Sequence, residues 1–338
     1  MLIVNKYSNI DDKLINQWNN LWQEASHKTF FNSYSWFDIC LQTFNYQNIL
    51  IITVEDNNHL VAILPLVKKK HYFVSPGENY LDNTTLLIEN NYEKIISTII
   101  DYIKKNKLQI VLNEVEESLS ESFQGIPKEF SSNNPKAYLE KGINNIIKHK
   151  ELRYLNRIKE KNKEYIHFSI YSGSECYEQI DKIFKIEKES NKPQLKKDLF
   201  RNSKARILFK NIAKTNNSLL IILKYNNLDI AHLFSLVCNK TVMAYHMAYN
   251  KYYSHLQPGK LIFIHLMEYM LENNLQVLDF SRGDSTLKRH FSNDSAKKYN
   301  IYINCNIFAR GKVVAQNFIY YIKNTNLYKK IKKIIKGK

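Results

Sequence analysis

Residues 245–291 decide the fold; they open as Tyr-His-Met-Ala-Tyr-Asn-Lys-Tyr-Tyr-Ser-His-Leu-Gln-Pro-Gly-Lys-Leu and close as Leu-Asp-Phe-Ser-Arg-Gly-Asp-Ser-Thr-Leu-Lys-Arg-His-Phe. An apparent strand leads into a Gln-Pro-Gly turn, and the pattern predicts an apolar helix over 259–273 and a second strand over 276–280. The first amides of a helix lack internal partners and its dipole favours negative charge, so the turn is a candidate anion site with Lys260 as an added cation. An ordinary strand–helix–strand unit fits the same pattern.

The same run resembles the signature of the CelD-like acyltransferases of the GNAT superfamily, relatives of the Fem-type peptidoglycan ligases. The shared features are an aromatic strand, a Pro-Gly-Lys-Leu turn into a helix, and a Leu-Asp-Phe-x-Arg-Gly-Asp-x-x-x-Lys-x-x-Phe ending. In that family the turn lies where other GNAT enzymes bind the pyrophosphate of acyl-coenzyme A. The resemblance carries over to Pro258, Gly259, Lys260, Asp279, Phe280, Arg282, Gly283, Asp284, Lys288 and Phe291.

Length and composition predict a globular protein. The chain has 338 residues, 44% of them apolar and 13% aromatic, which is enough for two domains with separate cores. No run of eighteen or more apolar residues occurs, and the first residues show no secretory signal, so we expect a cytoplasmic protein. The 4 cysteines lack the spacing of a zinc site or a disulfide framework. We therefore expect no metal.

The formal net charge is +17 and the isoelectric point is near 9.4. The abundance of lysine, asparagine and isoleucine is one explanation, because coding bias alone can produce it. The other explanation is attraction to an anion, such as coenzyme A, a nucleotide-sugar phosphate, a lipid diphosphate, RNA or a membrane surface. Charge selects only weakly among these partners.

The predicted fold class is α/β (an α+β mixed sheet) with two tandem GNAT-like lobes, each a twisted mixed sheet flanked by helices. The first lobe spans 1–145 and ends in an irregular connection over 114–145 that is rich in turn-forming residues. The second lobe, with the acyl-CoA site, spans 146–312 and follows the GNAT order of elements. A basic amphipathic tail over 313–338 completes the chain. Pro65 predicts the edge of the sheet or a strand end.

Four side chains are candidates for the base that deprotonates an acceptor amine. The resemblance implies a substrate-binding or base role for Asp82, because Fem-type relatives have a Tyr-x-Asp element here that faces the cleft between lobes; a solvated turn aspartate is the alternative. Asp279 lies in an apolar strand and must be paired or face a cleft. Asp284 either faces the acceptor or shapes its turn, and His246 lies on the aromatic strand. We expect all four to converge on one cleft.

The remaining candidates would bind the two substrates. For the cofactor these are the turn Gln257, Pro258, Gly259 and Lys260, together with Lys288. A basic helix over 146–163 presents arginines on one face and resembles the basic helix that opens the second lobe in the family. The candidate substrate-binding residues are Tyr80, Arg153, Arg157, Arg282 and Phe291.

The predicted function is N-acyl transfer from acyl-CoA, most simply acetyl-CoA, to an amine. The resemblance implies an amino sugar or a lipid-linked surface-polysaccharide intermediate as the acceptor. The basic tail either holds the enzyme at the inner face of a membrane or packs its apolar stripe on the second lobe. One alternative keeps the fold but uses aminoacyl-tRNA as donor, as in Fem-type ligases. Another is a non-catalytic basic protein that docks on nucleic acid or membrane. DNA is not an expected partner.

Overall fold

The computed structural model describes residues 2–89 and 92–305, so the predicted tail over 313–338 lies outside the described residues. A 13-stranded mixed sheet runs through both halves of the chain. The first half contributes β1 (Leu2–Tyr7), β2 (Ile49–Asp56), β3 (His59–Lys69), β4 (Tyr72–Val74), β5 (Leu87–Ile88), β6 (Ile110–Glu116) and β7 (Lys128–Tyr138). The second half contributes β8 (Ile166–Ser172), β9 (Ser218–Tyr225), β10 (Leu228–Cys238), β11 (Thr241–Tyr249), β12 (Val277–Asp279) and β13 (Asp294–Ile303).

Helices flank the sheet. They are α1 (Asp12–Glu24), α2 (Tyr34–Phe44), α3 (Tyr92–Lys105), α4 (Glu117–Ser120), α5 (His149–Lys161), α6 (Glu175–Glu189), α7 (Ser203–Ile212), α8 (Pro258–Glu272) and α9 (Thr286–His290). Helix α8 has apolar residues on almost every side because it packs between the sheet and α5. No helix within residues 2–89 and 92–305 is long and apolar enough to cross a lipid bilayer.

The strand order shows why the fold is tandem. It reads β1-β2-β3-β4-β6-β13-β7-β12-β11-β10-β9-β8, with β5 beside β3. Strands β4 and β6 form a parallel pair connected through α3, and β11 and β12 form a second parallel pair connected through α8. The predicted mixed α/β class is confirmed. The two halves join into one continuous sheet because β13 of the second half lies between β6 and β7 of the first, and β12 pairs with the other side of β7. The division at 145/146 stays a prediction.

One expectation about local structure was wrong, and a second holds only locally. The segment 128–138, within the stretch expected to be irregular, is the strand β7 in the middle of the sheet. Its sequence is polar, and it is stabilised by β12 and β13, which lie more than a hundred residues away in the chain. Pro65 lies inside β3, between the residues that pair with β5 and those that pair with β4. The proline is tolerated there because that stretch of β3 lacks a second ladder partner.

The second half has a core on each face of the sheet. Alternate residues along β9 enter different clusters: Leu219 and Ile221 pack with α8, whereas Leu220 and Ile222 pack with α6 and α7. This is the period-two pattern of a strand that is buried on both sides. The α8 face and the α6/α7 face therefore form two distinct environments, and any opening between strands connects them.

Candidate active site

The parallel strands β11 and β12 part from each other and leave a cavity. They pair only where Thr241–Met243 faces Val277–Asp279. Beyond these residues a cavity of about 350 Å³ is lined by β11 and by the residues that follow β12, Phe280–Arg282. Its wall includes Ala244, Met247 and Phe263 from the α8 face, and Tyr80, Phe209 and Tyr245 from the opposite face. The cavity thus reaches both faces of the sheet at the place where the two strands separate.

A β-bulge shapes β11 at this point. Phe234 on β10 pairs with His246 and the next residue, Ser235, pairs with Ala244, so Tyr245 is the extra residue. A bulge re-aims the side chains beside it and often lies next to an active site. The hydroxyl of Tyr245 donates to the carbonyl of Tyr80 at 2.6 Å, which connects the bulge to the first half of the chain.

Arg282 holds the two halves together at the cavity wall. Its Nε donates to Oδ1 of Asp82 at 2.8 Å and its Nη2 donates to the carbonyl of Asn79 at 2.8 Å. Nη1 lies 3.7 Å from Oε1 of Glu114. The guanidinium predicted to bind substrate is therefore surrounded by groups of the first half, and it fixes Asp82 in the wall.

We call Arg282 with its partners Asp82 and Glu114 the clamp, and the backbone is strained on both sides of it. Ser281 has φ 61° and Glu114 has φ 53°, in the left-handed region that non-glycine residues seldom adopt. Both are buried. The Ser281 hydroxyl donates to Asp82, and Ser131 donates to Glu114 at 2.6 Å. Such strain clusters at functional sites, where the surrounding contacts over-determine it.

Two lysines donate to backbone carbonyls on either side of the contact between Asp82 and Ser281. Lys288 lines the cavity and its Nζ donates to the carbonyls of Arg282 at 2.7 Å and Ser281 at 3.3 Å. Burial lowers the pKa of Lys288 to about 8, although the carboxylates of Asp82 and Asp279 oppose the shift. Lys298 is fully buried and donates to the carbonyl of Asp82.

His246 lines the cavity from β11 and belongs to a buried polar cluster. Its Nε2 lies 2.7 Å from Oε2 of Glu187 and 2.8 Å from Nζ of Lys192, and its Nδ1 lies 3.0 Å from Nε2 of His232. Burial and the charge of Lys192 lower the pKa of His246 to about 4. Burial opposes ionisation of Glu187, but His246 and Lys192 outweigh it and lower the pKa of Glu187 to about 2.

The charge on Glu187 favours one tautomer of His246, in which Lys192 donates to Glu187 and not to the ring. Ionised Glu187 can only accept, so the ring nitrogen that it contacts carries the hydrogen. Nδ1 of His246 then accepts from His232. Both ring nitrogens of His246 therefore have protein partners, and neither is available as a direct base for an amine in this arrangement.

The expected convergence of four catalytic side chains is wrong for two of them. Asp82 and His246 line the cavity described above. Asp279 lines a neighbouring cavity of about 260 Å³, and its two oxygens accept from Asn134 and from the amide of Ser281. Asp284 lies in the turn before α9 and pairs with Arg289 of that helix at 2.6 Å.

The predicted cofactor turn begins α8. Gln257 has φ 53° and precedes Pro258 at the first position of the helix. A Cβ on Gly259 would lie 3.5 Å from Cε of Met247, which lines the cavity, so the helix start abuts the cavity wall. Lys260 is engaged by Glu151 of α5 at 2.5 Å.

The other predicted substrate residues lie in different surroundings. Tyr80 lines the cavity and stacks on Phe44. Arg153 and Arg157 are exposed on α5. Phe291 is fully buried and packs on Phe263. An aromatic ring with no exposed surface contributes to the core, and Phe291 supports the cavity wall from behind.

Several residues of the site lacked a sequence signal. Glu187 and Lys192 lie in an ordinary amphipathic helix and the polar loop after it, and Glu114 and Lys298 lie on strands that pair over a long range. A charged residue at an apolar position of a helix is the one available signal. Glu187 follows Ile186 and is as buried as Ile183.

Comparison with known proteins agrees with the geometry. Residues 153–289 match the family described as an acetyltransferase (GNAT) domain. No curated protein sequence matches the chain. FemX superposes with a TM-score of 0.63 at 9% identity, covering 91% of this chain and 99% of that chain.

Two further solved structures share the fold. The C-terminal domain of a putative lysylphosphatidylglycerol synthetase from Agrobacterium fabrum superposes with a TM-score of 0.59 at 8% identity, covering 89% of this chain and 94% of its own. L-PGS from Bacillus licheniformis gives 0.54 at 11% identity, covering 75% and 85%. The chain has a GNAT-superfamily fold of the Fem type, and it is a transferase enzyme.

Proposed function

We propose that the protein is an N-acyltransferase that moves an acyl group, most simply acetyl, from acyl-CoA to an amine. One observation carries this proposal: β11 and β12 part around a cavity that reaches both faces of the sheet. A donor that enters from the α8 face and an acceptor that enters from the opposite face would meet between the strands. Holding two reactants in such an alignment supplies much of the rate enhancement in acyl transfer.

The donor side would be built around the start of α8. The amide of Gly259 and the side chain of Lys260 would hold the pyrophosphate at the positive dipole end of the helix. The amides of Gln257 and Lys260 already donate to the carbonyls of Ser254 and Gln257. Lys260 would exchange Glu151 for a phosphate oxygen. The pantetheine arm would run along Met247 and Phe263, where the cavity wall is apolar.

The acceptor side would be built around Tyr80 and Asp82. An ammonium group attracted by Asp82 must first lose one proton to water in the cavity, and its neutral nitrogen then attacks the thioester carbonyl. The new C–N bond forms, the C–S bond breaks, and coenzyme A leaves as a thiolate that takes the second proton released by the nitrogen. The buried Lys288 ammonium lies where it could stabilise negative charge on the carbonyl oxygen. Asp279 and Asp284 would act through the turn that carries Ser281 and Arg282.

The acceptor that we propose is an amino sugar or a surface-polysaccharide intermediate, in the cytoplasm or on a lipid carrier at its membrane. Support for this acceptor class comes from the family resemblance and not from a contact. The tail over 313–338 would then serve as a basic membrane anchor, which vesicle flotation of the full chain with and without those residues would test.

A second candidate is aminoacyl transfer from tRNA. The fold likeness to FemX and the exposed arginines Arg153 and Arg157 on α5 favour it. RNA phosphates would bind those arginines, and the affinity would fall steeply with salt.

Calorimetry with acetyl-CoA tests the proposal. Ala244 lines the cavity, so Ala244→Leu should fill the space between the strands and lower the affinity by about tenfold or more, worth roughly 1.4 kcal/mol or more. Ala296→Leu, the same substitution on β13, is the matched control and should bind as the unaltered protein does. Equal affinities of the two variants contradict the donor site. No binding of acetyl-CoA, together with salt-dependent binding of deacylated tRNA, supports the second candidate instead.

A further inference from the structure

The carboxylate of Glu187 has three partners that come from separate parts of the chain. Its Oε1 accepts from the amide of Phe200 at 3.0 Å. Its Oε2 lies 3.0 Å from Nζ of Lys192 and 2.7 Å from Nε2 of His246. The side chain is 1% exposed. One buried carboxylate thus contacts both ends of the connection from α6 to α7 and the bulged strand β11.

That connection forms part of the cavity wall. Leu199 lies between the two points at which Glu187 holds the connection, and it lines the cavity on the face where we place the acceptor. His246, the third partner of Glu187, lines the same cavity. On this side of the cavity the positions of a leucine and a histidine therefore depend on one carboxylate.

We propose that Glu187 is a positioning residue of the transfer reaction, which fixes the acceptor-side wall of the cavity by holding Leu199 and His246 in place. This inference rests on the proposed function. Glu187 has no contact with the cavity itself, and both ring nitrogens of His246 are occupied, so neither residue acts as the base in this arrangement.

Because the charge of Glu187 is buried, it selects one position for each of its partners. An ionised carboxylate in the protein interior requires donors, and losing any one of them leaves it under-satisfied. Lys192 and the Phe200 amide therefore stay in place together. The α6–α7 connection has one favoured position relative to β11, and an acceptor meets a wall that is already formed.

The ring of His246 reports this role directly. In the unaltered protein, Nε2 carries the hydrogen and faces Glu187. In Glu187→Gln the side chain is neutral, and the ammonium of Lys192, 2.8 Å from Nε2, becomes the stronger neighbour. We expect the hydrogen to move to Nδ1, towards His232, and the two ring-nitrogen NMR resonances of His246 to exchange their protonated and unprotonated positions. The groups that face the ring are Glu187 from α6, Lys192 from the connection, and His232 from β10.

The matched control is Glu189→Gln. Glu189 lies on the same helix end, is exposed, and accepts from Asn250. This variant should keep the His246 resonances and the hydrogen-exchange protection of the Phe200 amide. Glu187→Gln should lose much of that protection. Unchanged His246 resonances and unchanged Phe200 exchange in a folded Glu187→Gln variant would overturn the proposal.

Kinetics separate positioning from general stability. The probe is whichever of glucosamine, lysine and putrescine releases coenzyme A fastest from acetyl-CoA with the unaltered protein. Glu187→Gln should raise KM for that amine by about tenfold while KM for acetyl-CoA changes by less than about threefold, because donor contacts lie on the other face. Equal changes in both constants overturn the positioning role. If the unaltered protein does not bind acetyl-CoA, the proposed function is contradicted. The His246 ring-nitrogen resonances then still test whether Glu187 positions His246.

Discussion

Replacing Arg282 with methionine should reveal how strongly the two halves depend on the clamp at the cavity. The substitution keeps most of the side-chain volume but leaves Asp82, 7% exposed, and Glu114, 6% exposed, without their shared cation. Breaking a fully buried ion pair costs about 3–5 kcal/mol. Arg282 is itself 36% exposed and its contact with Glu114 is long, so solvent screening reduces the expected loss to about 2–3 kcal/mol of unfolding free energy.

Urea denaturation measures this loss as a lower midpoint at an unchanged slope. The control is Arg289→Met, which removes an ion pair with Asp284 from a side chain that is 59% exposed. That variant should lose less than about 1 kcal/mol. If Arg282→Met and Arg289→Met destabilise the protein equally, Arg282 is an ordinary surface residue and the reasoning about the clamp fails.

Three other predictions concern the cavity and the core beside it. Burial lowers the pKa of Lys288 to about 8, so between pH 8 and 10.5 the unfolded chain binds more protons than the folded chain. Urea titrations should therefore show the unfolding free energy rising with pH across that range, and Lys288→Met should lose the rise. Lys260→Met should change stability by less than about 1 kcal/mol, since its pair with Glu151 is half-buried, yet calorimetry should show weaker acetyl-CoA binding. Leu278→Ala, at a fully buried position of β12, should cost about 2–5 kcal/mol by thermal or urea unfolding.

The sequence was most informative where apolar runs are long and turns are short. The helix α8 lies within one residue of the bounds predicted for it, 259–273, because a continuous apolar pattern there has turn residues at both ends. The resemblance drew attention to the turn at Pro258 and to Arg282, and both lie beside the cavity.

Structure that depends on partners far away in the chain could not be predicted from the sequence. β7 is polar and is held by β12 and β13, and no local pattern indicates such partners. The same limit applies to side chains: Asp279 was recognised as a buried carboxylate, but its partner Asn134 lies 145 residues away. Glu187 lies on an amphipathic helix that a local pattern can indicate, yet only the fold reveals that its carboxylate faces His246.

The strained turn at Ser281 illustrates a different limit. A serine with positive φ violates the local preference that sequence patterns reflect, and it persists because Asp82, Lys288 and the amide contact with Asp279 hold it. Local rules are expected to fail at such places, since strain is retained where surrounding contacts fix it.

A crystal structure of the full chain with coenzyme A tests the central claim most directly. The account predicts that the sulfur lies between Ala244 on β11 and Phe280 after β12, with the pyrophosphate at Gln257–Lys260. Coenzyme A bound in the neighbouring cavity beside Lys136 and Asp279, or on the surface away from α8, would contradict the account.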